Sequence, residues 1–330
     1  MVGGMAAKPV LLSGIKPTGE LHIGNYFGAM RQFLDLQEEY ESYIFIADYH
    51  ALTTAHSQRN PEEVRASIRH IALGYLAVGL DPDKVVLFQQ SQVPEHTELC
   101  WIFNCITTVP YLMRAHAYKD AEAKGKETSV GTFDYPMLMA ADILLYDPAV
   151  VPVGKDQKQH IEYARDTAQK FNALYGETFA VPEPLILEAA AVVPGTDGQK
   201  MSKSYRNTIP LFASRDTLVE RVMSVVTDSL PSTDSGPAGH RPENVYAIHK
   251  LVRSEQELEP LYAEHAGNYK VLKEMLIEDL DRYLAPIRAK YEELSKDTGL
   301  VEDILKKGKQ KARAVASAKM ERVRQLVGVA

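Results

Sequence analysis

The fold is decided by the stretch Ser13-Gly14-Ile15-Lys16-Pro17-Thr18-Gly19-Glu20-Leu21-His22-Ile23-Gly24-Asn25-Tyr26, near the start of the 330-residue sequence. An apolar run at 9–12 precedes it, and the apolar residues that follow it are spaced like one face of a helix. The pattern therefore predicts a buried strand, a turn and a helix. Its glycines let a ligand approach the backbone, and the first N–H groups of the helix can bind phosphate.

His22 and Asn25 stand three residues apart in this turn. At a helix start, that spacing lets both side chains face one bound anion. A glycine-rich structural turn without a ligand is the alternative, because single glycine patterns often arise by chance.

A second informative stretch is Gly195-Thr196-Asp197-Gly198-Gln199-Lys200-Met201-Ser202-Lys203-Ser204. It reads as a loop that carries two lysines among glycines and hydroxyl residues. Two ammonium groups suit a polyphosphate whose charge grows as it leaves. Together with the first stretch, this loop favours a site for a bound polyphosphate.

Both stretches resemble the signatures of class I aminoacyl-tRNA synthetases. His22-Ile23-Gly24-Asn25 is similar to the HIGH signature, with asparagine in place of the last histidine, and Lys200-Met201-Ser202-Lys203-Ser204 matches the KMSKS signature. The two occur in the expected order and at a separation suited to one catalytic domain. A chance double match is far rarer than a chance match to either motif alone.

The whole chain carries a net charge of −7, which argues against a uniformly basic surface for nucleic acid. Residues 306–330 differ, with eight basic residues against one acidic residue. This basic segment can contact a phosphate backbone, or it can be a solvated helix face. The two cysteines, Cys100 and Cys105, suit reduced thiols rather than a disulfide framework or a metal site. With no signal peptide pattern and no membrane-length apolar run, we expect a cytoplasmic protein without membrane contact.

Strand and helix patterns alternate up to about residue 171 and predict an α/β fold. We expect a Rossmann-like parallel sheet with helices on both faces and ligands at the carboxyl ends of its strands. Later segments read as helical, including a capping box at Ser254–Glu257 and a long helix from about Asn268 toward Leu294, interrupted at Pro286. The predicted domains are a catalytic domain at 1–205, a smaller helical domain at 206–286, and final helices at 287–330 that pack back near the catalytic domain.

Two segments in the middle of the chain point to an amino-acid substrate. Tyr135-Pro136-Met137-Leu138-Met139-Ala140-Ala141-Asp142-Ile143-Leu144-Leu145-Tyr146 and Val151-Pro152-Val153-Gly154-Lys155-Asp156-Gln157-Lys158-Gln159-His160 resemble bacterial tryptophanyl-tRNA synthetases. With the two signatures, the resemblance covers most of residues 10–205 and continues weakly to the end. Tyrosyl-tRNA synthetases share the architecture and are the first alternative.

Physical chemistry favours tryptophan. Tyr135, Met139 and Asp142 share one face of the predicted helix. Indole has one polar atom, an N–H that only donates, and a carboxylate among apolar side chains satisfies it. Tyrosine-specific relatives usually carry glutamine where Met139 stands, and its absence argues against tyrosine. Without the motifs, Asp142 reads equally well as a helix-surface carboxylate, and core packing is the default for Met139 and Ile143.

The resemblance implies the site residues. For ATP they are Lys16, Thr18, His22, Gly24, Asn25, Asp156, Lys200, Met201, Ser202, Lys203 and Ser204, with His22, Asn25, Lys200 and Lys203 catalytic. For tryptophan they are Tyr135, Met139, Asp142, Ile143, Val151, Val153, Gln157 and His50. For His50, a structural histidine is the more frequent role. Tyr135 and Gln157 are implied to reach the α-ammonium group.

The implied reaction is activation of L-tryptophan with ATP and Mg²⁺ to an adenylate, followed by transfer to tRNA(Trp) by a homodimer. The helical domain would then read the anticodon. Trp101 is expected in the core or at the subunit interface. Two other classes stay open: an adenylate-forming enzyme that does not act on tRNA, and a synthetase-like RNA-binding protein without activity. No metal-ligand set is present in the sequence.

Overall fold

The structure is a computed structural model that describes residues 8–17, 19–54, 60–115, 118–119, 128–153, 158–186, 193–227 and 241–330. Thr18, Asp156 and Gln157, three of the predicted site residues, lie outside the described residues, as do Gly154 and Lys155.

The described strands form one parallel sheet of five strands in the order β3-β2-β1-β4-β5. They are β1 (Val10–Ile15), β2 (Glu41–Ile46), β3 (Val85–Gln89), β4 (Val150–Val153) and β5 (Glu183–Ile186). The strand order reverses between β1 and β4, which is where parallel α/β sheets form a ligand crevice beyond the carboxyl ends of their strands. The predicted Rossmann-like α/β fold is confirmed.

Alternating side chains of the strands face two separate apolar clusters. Leu11, Ile44 and Leu87 belong to one cluster, which also holds Ile23. Leu12, Phe45 and Phe88 belong to the other. Strands with apolar residues on both faces are typical of a parallel sheet that is covered by helices on each side.

Helices cover both faces of the sheet. In chain order they are α1 (Ile23–Asn25), which continues through a π-helical turn at Tyr26–Met30 into α2 (Arg31–Leu36), α3 (Asp48–Ala51), α4 (Pro61–Val78), α5 (Glu95–Ile106), α6 (Val109–Leu112), α7 (Val130–Leu144) and α8 (Lys158–Tyr175). The helices after the lysine loop are α9 (Arg215–Met223), α10 (Glu243–His249), α11 (Glu255–Glu264), α12 (Tyr269–Ser295) and α13 (Leu300–Val327).

The predicted capping box at the start of α11 is confirmed, because the Ser254 backbone N–H donates to Glu257 Oε2. The predicted interruption at Pro286 is wrong, since α12 runs through it. Proline in a helix removes one hydrogen bond and costs about 3 kcal/mol. Apolar residues on both sides of it, including Leu284, Ile287 and Tyr291, pack on the core and offset that cost.

The last helix, α13, packs directly against β3. A Cβ on Gly308 would come within 1.8 Å of the Leu87 carbonyl oxygen, so only glycine lets the two backbones approach this closely. Three of its basic residues pair with acidic residues elsewhere in the chain: Arg313 with Glu95, Lys319 with Asp147 and Arg324 with Glu98. This helix is therefore partly a packing element rather than a fully solvated basic face.

Candidate active site

The chain around the first signature and the chain that follows the lysine loop are joined by backbone hydrogen bonds. The Ile23 N–H donates to the Ile209 carbonyl oxygen at 3.0 Å, and the Leu211 N–H donates to the Leu21 carbonyl oxygen at 2.9 Å. The chain that follows the lysine loop thus forms a short antiparallel pairing with the chain around His22. This pairing holds together two stretches that lie about 180 residues apart in the sequence.

His22 is buried, and its Nδ1 atom makes no hydrogen bond within the described residues. Burial, and then the charge of Lys203, lower the His22 pKa to about 4. The imidazole is therefore neutral at pH 7. A Cβ on Gly24 would lie 2.9 Å from this Nδ1 atom, so glycine keeps the ring edge open to a ligand. A buried donor or acceptor without a protein partner suits a bound phosphate or ribose.

Asn25 has a structural contact that the sequence did not reveal. Its Oδ1 atom accepts the His22 backbone N–H at 3.1 Å, which caps the start of the helix. The carbonyl end of the side chain therefore faces the chain, and the amide N–H groups are the part that can reach an anion. The residue that replaces the last histidine of the signature thus caps the helix through its carbonyl oxygen and keeps its amide N–H groups for another partner.

Asn207, which the sequence analysis missed, organises the lysine loop. It is buried and accepts the Ser202 N–H at 2.7 Å. Its amide group donates to Asp197 Oδ1 at 2.7 Å and to the Lys200 carbonyl oxygen at 3.2 Å. The sequence offered only its position, three residues beyond the KMSKS stretch, because its burial and its partners are tertiary features.

The two lysines of the loop differ in their surroundings. Lys200 is exposed, whereas Lys203 is half-buried and lines a cavity of about 340 Å³ together with His22. Burial lowers the Lys203 pKa to about 8, against the opposing effect of Glu20. Arg206 and Arg221 line the same cavity, and neither was predicted. The cavity is thus rich in cationic groups and suits an anion such as a polyphosphate.

Other loop residues have mixed roles. Met201 is buried, and its Cβ would lie 3.3 Å from a Cβ on Gly24, so it packs between the two signatures. The Ser202 backbone is held by Asn207, and Ser204 is exposed.

Beyond β1, Lys16 Nζ donates to Thr53 Oγ1 at 3.1 Å, and burial lowers the Lys16 pKa.

Asp142 is the centre of a buried polar network on the other face of the sheet. Its Oδ1 atom accepts from Gln90 Nε2 at 2.7 Å and from His96 Nδ1 at 2.6 Å. Its Oδ2 atom lies 2.8 Å from His50 Nε2. His50 was predicted, with a structural role as the alternative, and Gln90 and His96 were missed. The helix-surface alternative for Asp142 is wrong, because its side chain is fully buried.

This carboxylate stays ionised despite its burial. Burial alone would raise the Asp142 pKa, but the hydrogen bonds from His50 and His96 outweigh that effect and lower it to about 2. An ionised carboxylate only accepts hydrogen bonds. The group that completes this site must therefore be a donor.

The predicted apolar residues of the pocket share the cluster next to Asp142. Ile143, Val151 and Val153 are buried, and Met139 packs against the same cluster. Tyr135 is half-buried; its hydroxyl lies 2.7 Å from His160 Nε2, and its ring meets His50 edge-on at 6.5 Å between centroids. It also lines a cavity of about 490 Å³ with Asp134 and Leu138.

Trp101 was predicted in the core or at a subunit interface. The core prediction is wrong, because this side chain is 70% exposed. Its helix, α5, turns Leu99 and Phe103 inward instead, and both are fully buried. The interface prediction stays a prediction.

The described part of the chain contains neither a metal-binding cluster nor a membrane-spanning helix. Within it, no group of three or more His, Cys, Asp or Glu side chains could hold a metal ion. Its helices include none long and apolar enough to cross a membrane. Cys100 is buried, Cys105 is exposed, and both are thiols.

Comparisons with known proteins agree with the resemblance of the two signatures to class I synthetases. Residues 6–284 match the sequence model of the family "tRNA synthetases class I (W and Y)". A tryptophan–tRNA ligase of Fusobacterium nucleatum is 50% identical over 96% of this chain and 97% of its own length. The crystal structure of a Campylobacter jejuni tryptophanyl-tRNA synthetase, complexed with ADP and tryptophan, superposes with a TM-score of 0.88 at 44% identity, over 97% of this chain and 99% of its own.

A tyrosyl-tRNA synthetase of Archaeoglobus fulgidus reaches a TM-score of only 0.65 at 20% identity, over 86% of this chain and 90% of its own, which shows a shared fold and no more. Identity of 50% over nearly the full length places the similarity in the tryptophan group. From its family match, its relatives and the two joined signatures, the chain belongs to the class I tRNA synthetases, and among them to the tryptophan–tRNA ligases.

Proposed function

We propose that the protein activates L-tryptophan with ATP, forming tryptophanyl-adenylate and pyrophosphate, and then transfers tryptophan to the 3′ end of tRNA(Trp). The observation that carries the choice of amino acid is the ionised, fully buried Asp142 carboxylate beside an apolar cluster. Indole matches it, because its single polar atom is an N–H donor.

The amino-acid pocket lies beyond the carboxyl end of β4. Val151 and Val153 on this strand and Ile143 on α7 supply apolar surface, and Met139 adapts to the shape of the ring. Asp142 accepts the indole N–H. Tyr135, with Gln157, holds the α-ammonium group. A pocket that pairs a substrate N–H in this way rejects analogues without it by about 10⁴- to 10⁵-fold.

The first step needs no general base, because the tryptophan carboxylate is already ionised. It attacks the α-phosphorus of ATP in line, and pyrophosphate leaves. Catalysis then rests on position and on charge. Neutral His22 and the Asn25 amide hold phosphate oxygens at the helix start. Lys203, with Lys200, stabilises the charge that develops on the leaving pyrophosphate.

The nucleotide would be held at the crevice between β1 and β4. Gly24 lets the adenosine part approach the backbone, while Met201, Ser202 and Ser204 of the lysine loop close the site. Lys16 places positive charge beside the α-phosphate, and Thr18 and Asp156 complete the ATP contacts.

Mg²⁺ fits this site as an ion that the nucleotide brings. The cavity beside His22 is lined by Lys203, Arg206 and Arg221, and Glu20 is the one carboxylate that the described residues contribute to it. The phosphate oxygens and water would therefore hold the ion, as is usual for Mg²⁺, and it would neutralise part of the triphosphate charge. On the protein side, the cationic side chains of this cavity position ATP.

The second step transfers the aminoacyl group to the terminal ribose of tRNA. We assign the anticodon to the helical domain at 206–286 and place the final helices, 287–330, beside the catalytic domain at 1–205. A homodimer would bind the tRNA across both subunits, with exposed Trp101 at the interface. These assignments follow from the family and from the basic surface of α13.

The test is exchange of labelled pyrophosphate into ATP, measured with tryptophan, tyrosine and phenylalanine in separate reactions with Mg²⁺. Exchange with tryptophan alone is the expected result. Exchange with tyrosine would overturn the pocket assignment while keeping the reaction. No exchange with any of the three would favour an enzyme without this activation step, and charging of tRNA(Trp) then has to be measured directly.

A further inference from the structure

His96 is the one histidine of the Asp142 network whose ring is fully buried. Its Nδ1 atom lies 2.6 Å from Asp142 Oδ1, and its Nε2 atom lies 2.9 Å from the Tyr146 hydroxyl. Because a carboxylate only accepts, Nδ1 carries the proton. In the neutral ring, Nε2 is then the acceptor of the Tyr146 O–H.

Aromatic rings hold His96 in this orientation. Its ring centroid lies 6.0 Å from that of Phe45, 6.0 Å from that of Phe88 and 5.6 Å from that of Tyr146. All three neighbours are buried in the cluster that covers one face of the sheet. A histidine with both nitrogens bonded and three rings around it has little freedom to turn.

The hydrogen bonds of the network are distributed unequally over the two oxygens of Asp142. A carboxylate oxygen has about two acceptor positions. Gln90 and His96 take both positions on Oδ1, while His50 takes one position on Oδ2. Among the described residues, the remaining acceptor position is on Oδ2.

We propose that His96, held in place by Tyr146, is a positioning residue that determines specificity for indole, because it saturates Oδ1 of Asp142 and directs the single remaining acceptor position, on Oδ2, to the substrate N–H. This inference rests on the proposed contact between Asp142 and indole. His96 does not touch the substrate itself. It acts by fixing which oxygen of the carboxylate accepts and in which direction.

The experiment compares tryptophan with β-(benzothien-3-yl)alanine, in which sulfur replaces the indole N–H, in the pyrophosphate exchange reaction. The two side chains are similar in shape, but only indole donates a hydrogen bond. For the unchanged protein, we expect a higher kcat/KM for tryptophan, expressed mainly in KM. Asp142→Asn measures how much of this preference comes from the carboxylate.

His96→Leu should lower kcat/KM for tryptophan by about 10- to 100-fold, the usual effect of losing a hydrogen bond to a charged group. The same variant should change the value for the sulfur analogue by less than about threefold. His96→Asn keeps an N–H donor near the position of Nδ1 and should recover most of the preference. Tyr146→Phe removes only the hydrogen bond to Nε2 of His96. It should reduce the preference for tryptophan by about three- to tenfold.

The outcomes distinguish the positioning role of His96 from the proposed contact between Asp142 and indole. Equal losses with both substrates in His96→Leu and Tyr146→Phe would mean a merely structural role and would overturn the inference. If Asp142→Asn abolishes the preference while His96→Leu and Tyr146→Phe keep it in full, the positioning role is wrong and the proposed indole contact stands. If the unchanged protein shows no preference for tryptophan, the proposed contact itself fails. Should His96→Leu not fold, His96→Asn and Tyr146→Phe decide between the same results.

Discussion

The Ile23 N–H donates to the Ile209 carbonyl oxygen at 3.0 Å, so the helix start that carries His22 and the chain that leaves the lysine loop form one backbone unit. Lys203 consequently lies near the first signature, with its Cδ atom 3.6 Å from where a Cβ on Gly19 would be. The two stretches that we propose to contact phosphate therefore lie side by side, and a change in either stretch is expected to affect the other.

The low pKa of Lys203, about 8, predicts a pH dependence. The free enzyme carries this charge below pH 8 and loses it above, so kcat/KM for ATP should fall as the pH rises through about 8. The measurement is pyrophosphate exchange at subsaturating ATP from pH 6 to 10. In Lys203→Arg the guanidinium stays charged, and the decline should move to higher pH although the rate is lower. A decline at the same pH in both proteins would assign the titration to another group.

Asn207 is expected to affect catalysis through the lysine loop. Asn207→Ala removes the acceptor of the Ser202 N–H and the donor to the Lys200 carbonyl oxygen. Misplaced lysines should lower kcat for pyrophosphate exchange by about 10- to 100-fold, with the KM for tryptophan nearly unchanged.

The matched control for this variant is Asn172→Ala. Asn172 also bonds backbone groups, those of Thr178 and Phe179, but its bonds connect α8 to the loop after it. This control should lower thermal stability and leave kcat per folded protein unchanged. An equal loss of kcat in both variants would contradict a specific role for Asn207.

Gly308 is predicted to limit stability. In Gly308→Ala the new methyl group would meet the Leu87 carbonyl at 1.8 Å, and backbone atoms cannot move aside as a flexible side chain can. We expect a loss of about 1–3 kcal/mol or more in the free energy of unfolding, although alanine favours helices. Gly131→Ala on α7 is the control, because its Cβ would meet only Ser129 Oγ, at 3.9 Å. Chemical denaturation of both variants tests this, and equal stabilities would refute close packing of α13 on β3.

Three exposed lysines of α13, Lys306, Lys307 and Lys311, are expected to contact tRNA phosphates. Their combined replacement by glutamine should weaken tRNA charging and reduce its salt dependence by about one logarithmic slope unit per lost contact. Pyrophosphate exchange should not change, because it does not involve tRNA. Replacement of Lys170, an exposed lysine on α8, is the control. An unchanged salt slope in the triple variant would place the tRNA elsewhere.

Local sequence patterns were sufficient for the α/β architecture and for the family. The strand β1, the turn after it and the helix α1 follow the predicted strand-turn-helix order. Such features depend on contacts between near neighbours, which short-range periodicity records. Pro286 does not interrupt α12 as predicted, because packing on both sides of it outweighs the local preference to end a helix.

Residue types and short spacings were enough to identify the two signatures, the strand-helix alternation and Asp142 as a candidate acceptor. The packed structure was needed to show that Asn207 organises the lysine loop, that Trp101 is exposed, and that Gln90, His50 and His96 converge on one carboxylate. His96 and Asp142 lie 46 residues apart on different helices, α5 and α7. Contacts of that kind arise when helices pack against each other on a sheet, and no periodicity in the sequence encodes them.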